Sequence, residues 1–294
     1  MTVQRMCELT GVSRASFYRD WEQKAPSEAE IALRDAVQRT ALAHRDYGYR
    51  RITPLIQRAG FVVGEEKVRG ILRSDNLLAV RRRKFVVTTD ANHRFRVHPN
   101  LAESMELTAI NQLWVADITY IRLRWEFVFL AVVLDAFSRK AIGWDLGRTL
   151  ETKLALRALE AAIARRHPPP GLVHHSDRGT QYASNEYVQR LEACGAHLSM
   201  SRPASPWENG KCESFIKTLK REEIDARRYA SFAELQQHID EFMGEIYNKV
   251  RLHSALGYRS PEEFEQSQNP EVKWSPAALS FLRHDEIYRS DGKF

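Results

Sequence analysis

Apolar residues in the middle of the chain fall into short runs separated by polar segments, a pattern typical of β-strands. Runs of this kind predict strands at 114–121, 127–134, 140–146, 171–174 and 196–200. Apolar residues at helical spacing predict helices at 151–166, near 183–193 and at about 209–223. Three successive strands followed by alternating helices and strands indicate a mixed sheet covered by helices, which is an α/β architecture.

Helical patterns precede this sheet region and follow it. Residues 1–24 predict a short helix–turn–helix-like segment, which either contacts DNA or is only a capping pair of helices. Residues 29–75 predict a helical, helix–turn–helix DNA-binding module, and residues 76–110 predict a basic linker. We expect the sheet domain to span residues 111–225 and a helical extension with a polar tail to span residues 226–294.

Positive charge is concentrated at the front of the chain. Residues 1–100 contain 19 Lys and Arg against 11 Asp and Glu, whereas the remaining 194 residues contain 25 against 27. Four cations follow the predicted helical module directly, namely Arg81, Arg82, Arg83 and Lys84. This imbalance favours contact of the N-terminal third with a polyanion, in particular with the phosphates of DNA.

The composition excludes several other classes of protein. The longest apolar run, at 127–134, is too short to cross a bilayer, and polar residues interrupt the N-terminus where a signal peptide would be apolar. Three widely spaced cysteines form neither a CxxC pair nor a cluster with histidine, so neither a disulfide framework nor a zinc site is predicted. We therefore expect a cytoplasmic or nucleoid-associated protein with no membrane partner.

Three acidic residues are unusual for their positions in the predicted elements. Asp117 lies within an apolar strand, where an ionised carboxylate is costly unless it is paired or binds a metal. Asp177 follows a second apolar strand, and Glu213 comes 36 positions later on a predicted helix. Lys217 and Lys220 lie within about 40° of Glu213 on that helix, so a solvated face with a Glu–Lys pair is the alternative. Together, three carboxylates on separate elements can hold two divalent cations around a phosphodiester.

Five segments carry a resemblance to a known family. They are Trp114-Val-Ala-Asp-Ile-Thr-Tyr120, Leu134-Asp-Ala-Phe-Ser-Arg139, His175-Ser-Asp-Arg-Gly-Thr-Gln-Tyr182, Asn209-Gly-Lys-Cys-Glu-Ser-Phe215 and Tyr247-Asn-Lys-Val-Arg-Leu-His-Ser-Ala-Leu-Gly-Tyr258. These segments resemble the second-frame (OrfB) product of the insertion-sequence family called IS-three. The stretch from Tyr47 to Arg73 resembles the helix–turn–helix module of that family. Its members are DDE transposases, with a catalytic core similar to that of retroviral integrases.

The resemblance implies a ribonuclease H-like fold with a mixed five-stranded sheet flanked by helices, preceded by all-α helix–turn–helix modules. It implies that Asp117, Asp177 and Glu213 are catalytic and ligate two Mg²⁺ ions, for which Mn²⁺ can substitute. Asp135 and Asp145 do not match this triad and are expected to be structural. The implied reaction is metal-dependent cleavage of insertion-sequence ends, followed by transfer of the 3′-hydroxyl end into DNA.

Several polar residues are expected near the DNA or the acids. Lys220, seven residues after Glu213, matches a family position taken to contact the transposon end. The other expected DNA contacts are Lys217, Arg178, Arg50, Arg51, Arg81, Arg82, Arg83 and Lys84. His175 is expected either to orient Asp177 or the scissile phosphate, or to be structural. Asn209 is expected to cap the Glu213 helix rather than to contact DNA.

The resemblance also implies partners. These are DNA, at the terminal inverted repeats and in the target duplex, and further copies of the chain, because two ends must be paired. Family transposases are commonly frameshift fusions that add a leucine zipper, and no such heptad run occurs in this chain. We therefore expect it to act with an upstream-frame OrfA partner or within a fusion. A non-catalytic DNA-binding regulator and a nuclease on the same core are the alternatives.

Overall fold

The computed structural model describes residues 2–17, 27–78, 97–202 and 205–268. Two short helices at the front, α1 and α2, span Val3–Thr10 and Arg14–Phe17. Three longer helices follow, namely α3 (Glu28–Ala43), α4 (Tyr49–Arg58) and α5 (Glu65–Ser74). No helix in the described ranges combines the length and the apolar character needed to pass through a membrane.

Helices α3, α4 and α5 pack around a small apolar core of their own. Val37, Ile52 and Val68, one from each helix, are completely buried in it. The first of these helices begins with a capping box, in which Ser27 and Glu30 each accept a hydrogen bond from the other's backbone N–H. The three helices span 28–74, which nearly coincides with the module predicted at 29–75, while the division of the chain into domains stays a prediction.

The sheet that follows has five strands in the order β3-β2-β1-β4-β5. The strands are β1 (Leu113–Arg122), β2 (Phe127–Asp135), β3 (Ala141–Gly147), β4 (Val173–Ser176) and β5 (His197–Met200). The first three form an antiparallel meander, and β4 and β5 run parallel to β1. This mixed sheet confirms the predicted ribonuclease H-like fold.

Helices cover both faces of the sheet. The helices of this region are α6 (Thr152–Arg166), α7 (Thr180–Ala183), α8 (Asn185–Ala193), α9 (Gly210–Leu219), α10 (Phe232–Glu241) and α11 (Pro261–Gln268). Helices α6 and α8 lie over one face, and α9 and α10 lie over the other. On the α6 side, a Cβ at Gly143 would come within 2.1 Å of the Ala158 carbonyl oxygen, so only glycine permits this close approach.

Side chains of β1 alternate between the two apolar cores, as the period of a strand requires. Leu113 and Val115 pack in the core beneath α9 and α10. Trp114 and Ala116 pack in the core beneath α6 and α8. Asp117 continues the odd-numbered series, so its carboxylate belongs to the α9 side of the sheet.

The helix predicted at about 209–223 is regular only as far as Leu219. It continues as a wider π-helical turn over Lys220–Ile224, where the Asp225 N–H donates to the Lys220 carbonyl at 2.7 Å. A second π-helical segment, Phe242–Val250, extends α10. Between this segment and α11 the chain forms a short 3₁₀ turn, Ser254–Leu256, and a β-bridge between His253 and Arg259, so the described part of the predicted C-terminal extension is helical only in sections.

Candidate active site

The pairing of β1 with β4 places two of the predicted acids side by side. Leu113, Trp114 and Val115 pair with Val173, His174 and His175, a constant offset of 60 residues. Asp117 and Asp177 have the same offset and lie two positions beyond the last paired residues, Val115 and His175. Adjacent strands lie about 4.8 Å apart, and directly opposed residues of a parallel pair point to the same face. Both carboxylates therefore occupy the α9 side of the sheet.

Asp117 lies in an environment that disfavours its charge. Its side chain is partly exposed, yet the surrounding protein is dense enough that burial is the largest cause of a pKa raised to about 7. The negative charges of Asp177 and Glu213 raise this pKa further. The Ile118 N–H donates to Asp117 Oδ1 at 2.8 Å and acts in the opposite direction. Asp117 is therefore within electrostatic reach of both other acids.

Asp177 is the first residue after β4, where the chain turns sharply. The Gly179 N–H donates to Asp177 Oδ1 at 2.9 Å, which fixes the carboxylate over its own turn. A Cβ at Gly179 would lie only 3.0 Å from the same oxygen. Glycine at this position therefore leaves room for the carboxylate beside the backbone.

Glu213 is positioned by the packing of α9 and by a tether at its N-terminus. Cys212, Phe215 and Leu219 form the buried stripe that fixes the rotation of this helix. Just before the helix, Asn209 Nδ2 donates to the Ala116 carbonyl of β1 at 2.9 Å. This bond ties the start of the Glu213 helix to the residue that precedes Asp117.

The expectation that Asn209 caps α9 is therefore wrong. Asn209 occupies the N-cap position, but its side chain makes no capping hydrogen bond. The backbone enters the helix through the 3₁₀ turn Pro206–Asn209, and the amide group is directed at the sheet instead. A buried carbonyl needs a donor, and Asn209 supplies it.

Two lysines accompany the acids on the α9 side. Lys217 Nζ lies 2.9 Å from Glu213 Oε2, the Glu–Lys pair that the helical spacing suggests. Lys220 Nζ lies 4.7 Å from the centre of the Tyr120 ring, and its charge lowers the pKa of Asp117. Two cationic side chains thus lie beside the carboxylates. This position is compatible with the expected contacts of Lys217 and Lys220 with DNA, which stay predictions.

His175 is more deeply buried than the acids. Its Nδ1 lies 2.8 Å from Ser199 Oγ on β5, and its Nε2 has no hydrogen-bond partner within the described structure. Burial lowers its pKa to about 4, so the ring is neutral at pH 7. The hydrogen bond to Ser199 gives His175 a structural part between β4 and β5, and an orienting role toward Asp177 stays a prediction.

The other predicted DNA contacts lie in different surroundings. Arg178 Nε donates to the Ser201 carbonyl at 2.8 Å. Arg50 is exposed and stacks over Tyr49. Arg51 faces the sheet domain instead, 3.6 Å from Glu222. The run Arg81, Arg82, Arg83 and Lys84 lies outside the described residues.

Asp135 and Asp145, which were expected to be structural, both stabilise local structure. Asp135 is completely buried and accepts hydrogen bonds from the backbone N–H groups of Asn111, Phe137 and Ser138. Asp145 forms an ion pair with Arg157 at 2.7 Å. Both carboxylates are committed to holding local structure.

The donor chemistry of Asp117, Asp177 and Glu213 suits a hard divalent cation. All three offer carboxylate oxygens, and a cation would relieve the repulsion that raises the pKa of Asp117. Glu213 is bound to Lys217, and among the described residues no three His, Cys, Asp or Glu side chains are already grouped to enclose a metal ion. Occupation by metal would therefore require Glu213 to exchange its lysine for the cation.

The structure also gathers basic residues that had no role in the sequence analysis. Arg139 and Lys211 were part of the quoted segments, and both line a cavity on the far side of α9 from Glu213. Their place in segments that resemble the family is the one feature of the sequence that could have marked them as functional. Their convergence depends on tertiary packing, which the sequence pattern does not show.

Known proteins resemble the chain over most of its length. Families described as "Integrase core domain" match residues 108–206 and 194–261, and one described as "HTH-like domain" matches residues 28–85. An uncharacterized 31 kDa protein of insertion element IS600 from Shigella sonnei is 34% identical over 266 residues, covering 89% of this chain and 97% of that protein.

Two transposases show comparable similarity. The transposase of insertion sequence IS904 from Lactococcus lactis is 36% identical over 221 residues, covering 75% of this chain and 87% of its own. Transposase InsF of insertion sequence IS3A from Escherichia coli is 31% identical over 270 residues, covering 90% and 94%. A simian T-cell lymphotropic virus intasome chain is 17% identical with a TM-score of 0.46, covering 81% of this chain and 76% of that one. The sequence identities, sustained over nearly whole chains, show that this chain belongs to the IS3 family of insertion-sequence transposases.

Proposed function

We propose that this chain is the catalytic subunit of its insertion sequence, which cleaves the ends of the element and joins the 3′-hydroxyl ends to new DNA. The observation that supports the proposal is the proximity of the acids: Asp117 and Asp177 follow the paired part of β1 and β4, and the charge of Asp177 raises the pKa of Asp117. Glu213 stands within electrostatic reach of Asp117 on a helix tied to the same strand. Acids that repel one another need a cationic partner, and metal-assisted phosphoryl transfer supplies one.

Asp117, Asp177 and Glu213 would hold two Mg²⁺ ions, with Mn²⁺ as a substitute. When bound, such ions stabilise the negative charge that builds up on the phosphate and increase the acidity of water or of a 3′-hydroxyl group. The chain itself prepares for this by keeping three carboxylates together at an electrostatic cost. Asp117 must release its proton to act as a ligand, so the site would become competent as the pH rises through about 7.

Lysines beside the acids would receive the DNA. Lys217 is largely exposed and is paired with Glu213, and Lys220 is half-buried against Tyr120. If metal takes over Glu213, Lys217 becomes available to a backbone phosphate. The helix would then present carboxylates toward the scissile position and ammonium groups toward its flanks.

DNA is the proposed partner in two forms, the terminal inverted repeats and the target duplex. The HTH-like match at 28–85 supports a DNA contact by the helices α3 to α5. Pairing of two ends would need at least two copies of the chain, and an upstream-frame product would act with it, separately or as a fusion. These events would take place on bacterial DNA in the cytoplasm.

A strand-transfer assay with pre-cleaved inverted-repeat ends and Mg²⁺ tests the proposal. We expect Asp177→Asn to reduce joining by at least about 10²-fold, because a ligand to the cations is lost. Asp145→Asn, which removes only a surface ion pair, serves as the matched control and should retain activity. Full joining by Asp177→Asn would contradict the assignment.

The same assay separates the alternatives. A nuclease would cut the labelled duplex without joining the 3′-hydroxyl end to a second duplex. A non-catalytic regulator would bind the inverted repeats and give neither product in Mg²⁺ or Mn²⁺. The product that carries both duplexes is expected only from a transposase.

A further inference from the structure

A cavity of about 90 Å³ lies against α9 on the side away from Glu213. We call it the basic cavity, defined by Arg51, Arg139, Lys211, Arg251 and His253. At 100° per residue, Lys211 lies about 160° from Glu213 around the helix, so the acids and the cavity occupy opposite faces. One helix thus separates the proposed catalytic centre from a concentration of positive charge.

Four separate parts of the chain converge on the basic cavity. Arg51 comes from α4, and Arg139 from the turn between β2 and β3. Lys211 lies in the first turn of α9, and Arg251 and His253 follow the second π-helical segment. All of them lie in segments that the sequence analysis singled out, yet none is explained by metal binding or by the chemistry at the acids.

The positive charge of the basic cavity is not balanced from within. Arg251 is bound to Glu222 through two hydrogen bonds of 2.7 and 2.9 Å, and Arg51 shares this carboxylate at 3.6 Å. Arg139 and Lys211 have no ion-pair or hydrogen-bond partner among the described residues. The one acid in the cavity wall, Asp135, acts electrostatically on Lys211, but its carboxylate already accepts hydrogen bonds from three backbone N–H groups and the Ser138 hydroxyl.

The pKa of His253, in the wall of the basic cavity, is affected by the same excess of positive charge. Burial, together with the positive charges of Arg251, Arg51 and Arg139, lowers the pKa of His253 to about 3. Arg139 also has a φ of 61°, a left-handed conformation that is uncommon for residues other than glycine. The turn that carries its guanidinium into the cavity is thus held in place by the surrounding structure.

The chemistry of the basic cavity suits one phosphate group. Guanidinium and ammonium donors are the usual partners of phosphate, and the hydroxyl groups of Ser214 and Thr218 lie in the same wall. The volume is sufficient for a phosphate group. We propose that the basic cavity binds one backbone phosphate of the insertion-sequence end, and this rests on the proposed function.

DNA is the occupant that the position of the cavity favours. Arg51 belongs to the helices matched to an HTH-like family, and Lys211 belongs to the helix that carries Glu213. A phosphate held between them would fix the duplex to both parts at once. The helix is about 10 Å thick, so this phosphate would lie at least that far from the scissile one.

Binding of the inverted-repeat duplex in EDTA tests the proposal without requiring catalysis. The affinity of the full chain is measured by fluorescence anisotropy over a range of NaCl concentrations. For Arg139→Gln with Lys211→Gln, we expect the slope of log K against log salt to become shallower by about 1, because one phosphate contact is lost. Arg148→Gln with Arg190→Gln removes the same charge from surface ion pairs and should leave the slope unchanged.

Neutral methylphosphonates placed one at a time along the duplex then locate the contact. One position should weaken binding by the wild-type chain and have no further effect on the double variant. An unchanged salt slope in the double variant would overturn the proposal. A second result would also overturn it. If inorganic phosphate raises the melting temperature of the wild type but not of the double variant, and the two have the same salt slope, the cavity is a site for a free anion and not for DNA.

The variants must be shown to fold, which circular dichroism and the melting temperature establish. The more conservative Lys211→Arg keeps the charge and should retain most of the salt slope.

Because no metal is present in the binding assay, loss of the phosphate contact is distinguishable from failure of the proposed function. Asp177→Asn would fail in strand transfer with a normal slope, whereas the cavity variant would show an altered slope whether or not joining occurs.

Discussion

Two aspartates of neighbouring strands show that a fold can treat the charge of an acid in two different ways. Asp135 pairs with Trp114, and Asp117 stands three positions further along β1. Burial is the largest cause of a raised pKa for both. Three backbone N–H groups and the Ser138 hydroxyl donate to Asp135. Asp117 accepts from Ile118 alone among the described residues and faces two like charges.

The comparison teaches that burial does not by itself mark a reactive site. The donors around Asp135 stabilise its carboxylate in place and hold the turn after β2. The surroundings of Asp117 leave its charge uncompensated, at a cost that the rest of the fold must offset. An acid of the first kind contributes to stability, and an acid of the second kind reduces it in the absence of a cation.

The largest expected effect concerns the pH dependence of stability without metal. Asp117 holds its proton in the folded chain up to a pH of about 7, whereas in the unfolded chain it loses the proton near its ordinary pKa of 3.8. The folded state therefore loses stability as the pH rises from about 4 through about 7. Asp117→Asn does not titrate, so its advantage over wild type in free energy of unfolding should grow by about 4 kcal/mol across that window.

Urea denaturation in EDTA at several pH values measures this difference. Asp145→Asn provides the control, since it removes a carboxylate of β3 that is paired with Arg157. At pH 8, Mg²⁺ should stabilise the wild type and leave Asp117→Asn nearly unchanged. A difference that stays flat from pH 4 to pH 8 would contradict the account of Asp117.

A smaller effect of opposite sign is expected at Asp135. Asp135→Ala leaves the N–H groups of Asn111, Phe137 and Ser138 without their acceptor in a buried turn. We expect it to lower the free energy of unfolding by about 3 kcal/mol at pH 7, measured by urea denaturation. Asp135→Asn, which keeps one acceptor oxygen, should cost less. A stabilising effect of Asp135→Ala would show that the two aspartates are alike.

The smallest expected effect is at Asn209. Asn209→Ala removes the hydrogen bond to the Ala116 carbonyl, with an expected cost in stability of about 1 kcal/mol. Because this bond ties the start of α9 to β1, strand transfer should fall by more than the loss of stability explains. Asn209→Ser retains a donor and is the matched variant. Equal strand transfer by wild type and Asn209→Ala would show that α9 is held by its apolar stripe alone.

Periodicity in the sequence was sufficient to predict the sheet and most of its helices. Alternating apolar runs located β1 to β5, and an acid inside one of those runs identified Asp117. The β1–β4 offset, however, arises from the way α6 returns the chain to the sheet, and no local pattern encodes it. The sequence therefore predicted which acids meet only through the resemblance to a family.

One sequence-based expectation failed for a physical reason. The preference of asparagine for helix N-caps predicted that Asn209 caps α9. Its side chain donates to the buried Ala116 carbonyl of β1 instead. The expected contact of Arg51 with DNA stays a prediction, but its side chain lies toward Glu222 and the basic cavity, a direction that the sequence does not show. Charge runs reveal which residues are cationic but not which way the folded helix turns them.

The parallel pairing of β1 with β4 has a consequence for the newly made protein. The two aspartates are 60 residues apart, and the intervening antiparallel strands and α6 must be laid down before β4 can dock. Glu213 arrives later still, from a helix that packs on the finished sheet. A chain still leaving the ribosome, or one that has misfolded, therefore does not yet bring the three proposed metal ligands together.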